Sequence, residues 1–128
     1  MSISVGAVGI ASPVVPPENT AAAVGSGALP VFATPYMIAL MENAAMLAVA
    51  PHLPEGSTTV GGHIDTSHLS PSAVGSEVEA TAELHRIEGK KLYFKIVARQ
   101  GDTVIGEATH LRFIVDREKF MARLTPGC

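Results

Sequence analysis

The chain has 128 residues, 47% of them hydrophobic and 16% charged, and a formal net charge of -3. One domain spanning residues 1–128 can bury a core at that length without disulfides or a metal, and the composition is too apolar for a disordered chain. The acidic balance and the few aromatics, four Phe and two Tyr with no Trp, exclude the basic surface and base-stacking platform of a nucleic-acid partner.

Residues 1–30 are rich in Ala, Gly, Pro, Val and Ser. Short strands are expected at 3–8 and 19–24, with a loop from Gly25 to Pro30. Residues 35–50 then read as one helix. Thr34 is expected at the N-cap, Pro35 suits the first helical position and Pro51 ends it. The segment is apolar nearly all round, so it should be buried on most sides. The run 31–50 approaches membrane length, but Pro35, Glu42 and Asn43 interrupt it and no basic residue flanks it. An acid at mid-bilayer costs about 2.5–3.5 kcal/mol, so no membrane partner is expected. No Lys or Arg precedes Arg86, so the cationic start of a signal peptide is missing and a cytoplasmic location is expected.

The remainder reads as strands at 57–67, 75–87, 91–100 and 103–115, with Glu88–Lys90 and Gln100–Asp102 as hairpin loops. Alternation places Val78, Ala80, Ala82 and Leu84 on one face, and Leu92, Phe94, Ile96 and Ala98 on the matching face of the next strand. Leu84 must then oppose Phe94 or Leu92, which requires an odd loop or a bulge, expected at Gly89. The same reasoning puts Val104, Gly106, Ala108 and His110 inward. It leaves Tyr93, Val97, Ile105, Leu111 and Phe113 on a second face too apolar to be fully solvated. Residues 116–124 read as a short terminal helix, and Thr125 onward as a loose end. Cys128, the single cysteine, can form no internal disulfide, which suits a reducing compartment. These elements describe an α+β domain, one buried helix wrapped by an antiparallel sheet.

Charge is divided unevenly along the chain. Residues 1–76 carry four charges, all acidic, and residues 77–128 carry the other 17. Glu42 is the only charged side chain between residues 19 and 51. A carboxylate inside so apolar a helix is costly to bury unless it is paired or used. Thr34 lies eight residues earlier, about 12 Å along a helix axis. A single chain does not easily bring both to one substrate atom, whereas a two-fold dimer with antiparallel helices can. His63, Asp65 and His68 do not converge on a strand, because His68 points away from the other two. No metal site is expected. His110 reads as a satisfied core histidine. His52 reads as a surface group and His85 as part of a polar strand face. Gly61–Gly62 reads as a bulge or a close approach.

The phrases FAT-x(7)-E, TAEL-x(3)-EG and GEATH-x-R, within roughly residues 31–120, resemble the fluoroacetyl-CoA thioesterase group of hotdog-fold thioesterases. The resemblance implies a hotdog fold, a homodimer with interfacial sites, and acyl-CoA as substrate with no cofactor beyond the coenzyme A it carries. It implies Thr34, Glu42 and His68 as catalytic residues, with Gly61 and Arg112 beside the substrate. The stretch TAAAVGSGALP is shorter than the corresponding family segment and has no aromatic, which favours a broad short-chain acyl-CoA preference. Glu42 would serve as nucleophile or as base for water. His68 would pair with the carboxylate, and Arg86, Lys90, Lys91, Lys95, Arg99 and Arg112 are candidate cations for the CoA phosphates. Two rivals remain at this point, an acyl-CoA hydratase or dehydratase of the same fold and a non-catalytic acyl-CoA binding module.

Overall fold

The computed structural model describes residues 3–124. The elements are β1 (Val8–Ala11), α1 (Ala21–Val24), α2 (Thr34–Val49), β2 (Ser57–His68), β3 (Glu79–Glu88), β4 (Lys91–Gln100), β5 (Thr103–Asp116) and α3 (Arg117–Ala122), with single turns of 3-10 helix at Pro17–Asn19 and Ala50–His52. The strands form one antiparallel sheet in the order β1-β3-β4-β5-β2. None of the described helices is long and apolar enough to cross a membrane. Cys128 and the end from Thr125 lie outside the described residues.

Helix α2 presses Met37, Leu40, Met41, Ala44, Ala45, Ala48 and Val49 into the sheet. The small residues on this face let the sheet come close. A Cβ at Gly9 of β1 would overlap the Ala44 carbonyl oxygen, and one at Gly106 of β5 would stand 2.6 Å from the Met37 sulfur. Facing residues from β3 and β4, among them Ala82, Leu84, Phe94 and Ile96, complete the core. Burial of this apolar surface, at about 25 cal/mol per Å², is what holds the helix in place.

Pairing of Leu84 with Phe94 agrees with the alternation, but the extra residue is His85, not Gly89. Glu88 pairs with Lys91, so Gly89–Lys90 is a two-residue turn with Gly89 at φ +59°. Gln100 likewise pairs with Thr103, and a second irregularity follows at Ala98/Arg99, with Arg99 opposite Val104 and Ala98 opposite Gly106. The unpaired residue there is Ile105, which turns into the core and is buried instead of lying on the second face. Tyr93, Val97, Leu111 and Phe113 do occupy that face, partly covered. The Arg86 guanidinium lies 4.1 Å from the Tyr93 ring centroid, and the Phe113 ring lies over Gly62.

Two expectations for the first 30 residues are corrected. The segment 19–24 is not a strand. Thr20 accepts a hydrogen bond from the Ala23 amide at 3.2 Å and Gly25 closes the turn at φ +79°, so the alanines between them form α1. The first strand starts at Val8, not at residue 3, because Gly6 at φ +99° turns the chain ahead of it.

Candidate active site

Thr34 is not the N-cap of α2. Ala33 holds that position with no side-chain cap, and Thr34 is the first helical residue. Its hydroxyl is thereby free for a distant partner, and Oγ1 lies 2.7 Å from Nδ1 of His68, the last residue of β2. Pro35 has no amide hydrogen and the Tyr36 amide bonds back to the Ala33 carbonyl. Burial lowers the His68 pKa from the usual histidine value, with the Ser70 backbone opposing it, so the ring favours its neutral, basic form. Nε2 of His68 is buried with no hydrogen-bond partner among the described residues. A cleft of about 310 Å³ opens beside this pair, lined by Phe32, Thr34, His68 and Ser70 and walled by Ala21 and Ser26 around α1.

Glu42 belongs to a second group. Its Oε2 stands 3.8 Å from Nη1 of Arg112, and 41% of its side chain is exposed in the protomer. Arg112, on β5, is buried. Its Nε donates to Thr59 Oγ1 at 2.8 Å and its Nη2 to the Thr59 carbonyl at 3.0 Å. Burial pulls the guanidinium pKa below the usual arginine value, partly offset by Glu42, though an arginine stays charged throughout the range in which proteins work. Gly61 lies against the carboxylate: a Cβ there would be 2.8 Å from Glu42 Oε2. The irregularity between Gly61 and His63 of β2 leaves Gly62 out of the register. The structure thus joins Thr34 with His68, and Glu42 with Arg112 and Gly61. Its inward-facing cation, Arg112, is committed to Thr59 and Glu42 and does not form part of a phosphate-binding surface, whereas Arg86, Lys90, Lys91, Lys95 and Arg99 are exposed.

A family model described as fluoroacetyl-CoA-specific thioesterase matches residues 15–118. The chain belongs to this family. It is 39% identical over 94 residues to the fluoroacetyl-CoA thioesterase of Streptantibioticus cattleyicolor, covering 73% of this chain and 68% of the relative. It is also similar to the solved structure of the fluoroacetyl-CoA thioesterase FlK, with a TM-score of 0.91 and 33% identity over 100% of this chain and 99% of that one. A hot-dog-like protein from Thermanaerovibrio acidaminovorans shares the fold, with a TM-score of 0.84 at 23% identity over 94% and 89% of the two chains. The protein is a thioester hydrolase with the hotdog fold.

Within this thioesterase, His63 and Asp65 are exposed while His68 turns inward, as the strand period requires. No group of three or more His, Cys, Asp or Glu side chains among the described residues is placed to hold a metal. Two further side chains join the Glu42 group. Thr59 carries no local signal in the sequence, because its link to Arg112 spans 53 positions. His110 is the satisfied core histidine that alternation predicts, and its spacing of two from Arg112 along β5 is the hint that both share the inward face.

Proposed function

We propose that this thioesterase hydrolyses short-chain acyl-CoA thioesters in the cytoplasm as a homodimer, and that each site combines Thr34 and His68 of one protomer with Glu42, Gly61 and Arg112 of the other. The observation that carries this reading is the division of the reactive groups in the protomer. A base pair, Thr34–His68, sits at the start of α2, and the carboxylate sits two turns further along, held by a different partner. Strand β2 is an edge strand of 12 residues, and an open edge of that length invites pairing. Antiparallel pairing with a second β2 about an axis beside Ile64–Asp65 sets His68 against the partner's Gly61. The partner's Glu42 then comes to the Thr34–His68 pair.

In this site the thioester carbonyl lies at the start of α2, where the helix dipole favours the developing oxyanion. The partner's Glu42 attacks the carbonyl carbon or takes the proton of an attacking water. His68 accepts a hydrogen bond from Thr34 and moves the proton. The C–S bond breaks; where Glu42 has attacked, water then cleaves the mixed anhydride so formed and frees the carboxylate, and by either route water supplies OH to the acyl group and H to the CoA sulfur. A thiol with a pKa near 8.5 is a good leaving group and needs little acid assistance. The small wall residues Ala21 and Ser26 leave the cleft open to more than one short acyl chain. No cofactor takes part, and the exposed cations of the second half supply charge for the CoA phosphates.

Thiol release across acyl-CoA chain lengths, acetyl-CoA and fluoroacetyl-CoA included, tests this directly. The expected result is stoichiometric free thiol from several short chains, with acetyl- and fluoroacetyl-CoA within about 200-fold in kcat/KM, since a small change in a loosely lined pocket is worth only about 1–3 kcal/mol. Water addition to an enoyl-CoA without thiol release would identify a hydratase. Acyl-CoA bound and returned intact would identify a binding module.

A further inference from the structure

His110 lies beside Glu42 and the proposed chemistry gives it no part. It is buried on the inward face of β5, opposite Phe94, with the two ring centroids 6.2 Å apart. Both ring nitrogens are engaged. Nδ1 lies 2.7 Å from the His63 carbonyl oxygen and Nε2 lies 3.2 Å from Nη1 of Arg112. A carbonyl can only accept and a guanidinium can only donate. Nδ1–H therefore donates to His63, and Nε2 accepts from Arg112. Only the neutral imidazole offers one donor and one acceptor. A protonated ring would turn an N–H toward the guanidinium and set two donors against each other.

We propose that His110 is a positioning residue for thioester hydrolysis: by accepting from Nη1 of Arg112 it sets the direction in which the guanidinium presents its charge to the carboxylate of Glu42. This rests on the reading of Glu42 as the reacting acid. The Arg112 plane is held on one edge by Thr59, through Nε and Nη2, and on the other by His110, through Nη1. Nη1 carries two hydrogens. With one taken by His110, the other remains for the carboxylate of Glu42, whose Oε2 stands 3.8 Å from Nη1. The same space is closed by Gly61, whose added Cβ would stand 2.8 Å from Oε2, 3.4 Å from His110 Cε1 and 3.5 Å from Arg112 Nη1. The groups facing His110 are His63 on β2, Arg112 on β5, Glu42 on α2 and the Phe94 ring on β4. Burial lowers the His110 pKa against the hydrogen bond to His63, Arg112 lowers it further and Glu42 opposes, so the net direction is down. A neutral ring is what an acceptor toward Arg112 must be.

The test compares His110→Met and His110→Gln in the full chain by steady-state thiol release from a short-chain acyl-CoA, with nitrogen-15 histidine NMR on the wild type. Methionine keeps bulk and removes the acceptor. Its kcat should fall about 10- to 100-fold, with KM changed less than about twofold, the signature of an interaction used in the transition state. Glutamine offers an amide oxygen to Nη1 and should restore most of that loss. The NMR spectrum should show His110 in the neutral Nδ1–H form, still neutral at a pH where an ordinary histidine is half protonated. Equal loss in both variants, or normal kcat in His110→Met beside an inactive Glu42→Gln, would overturn the positioning role alone. If His110→Met does not fold, an Nε2–H tautomer or an ordinary titration of His110 would overturn it. Full activity in Glu42→Gln would remove the underlying reading, without altering the NMR result.

Discussion

Glu42→Gln is expected to lower kcat by about a hundred- to ten-thousand-fold, the range over which a positioned acid, base or nucleophile accelerates its step. The substitution preserves shape and removes only the charge and basicity. Its cost to the fold should be small, because two-fifths of the Glu42 side chain is exposed in the protomer and Arg112 keeps its bonds to Thr59 and His110. A buried cation with no other partner would make the same change destabilising. Thermal unfolding and the elution position on gel filtration should therefore match the wild type while turnover is lost. Near-normal turnover would refute the assignment of Glu42 to the chemistry.

The second large effect is expected at His68. Removal of the ring in His68→Ala takes away the nitrogen 2.7 Å from the Thr34 hydroxyl oxygen and should lower kcat by about a hundredfold or more. The wild-type pH profile carries a further signature. Burial, outweighing the Ser70 backbone, holds the His68 pKa below that of a free histidine. The neutral ring therefore persists as the pH falls past the usual histidine value of about 6.5, and kcat/KM should decline only below it. In His68→Ala the remaining activity should lose that acid limb. Hydrolysis unchanged in rate and in pH profile would remove His68 from the mechanism.

Much of the fold is legible because it follows from local pattern. Alternation of Leu92, Phe94, Ile96 and Ala98 reports which face of β4 meets the helix, and it also forces the pairing of Leu84 with Phe94. The same alternation announces that a residue must drop out of register but cannot say which. His85 and Ile105 are chosen by how neighbouring strands twist and fit, which depends on the whole sheet. α1 is not legible in the same way, although Thr20 stands before three alanines and Gly25 follows, because the run is too short to show a period. The site was legible in its residue types but not in its partners. A threonine before Pro35 reads locally as a cap, and its bond to His68 spans 34 positions. Arg112 stands out as a cation, yet nothing nearby in sequence reveals that Thr59 and His110 hold it inside. In the protomer His68 pairs with a hydroxyl, where a carboxylate was anticipated.

Mixing the two inactive variants tests the shared site most directly. On the proposed shared site, Glu42→Gln and His68→Ala homodimers would each lack one required group at both sites. A heterodimer formed by exchange of their subunits regains one complete site, with Thr34 and His68 from one chain and Glu42 from the other. After full exchange half the dimers are mixed, so activity should rise to about a quarter of the wild-type value. A mixture whose subunits have exchanged, yet which remains as inactive as its two components, would contradict the account.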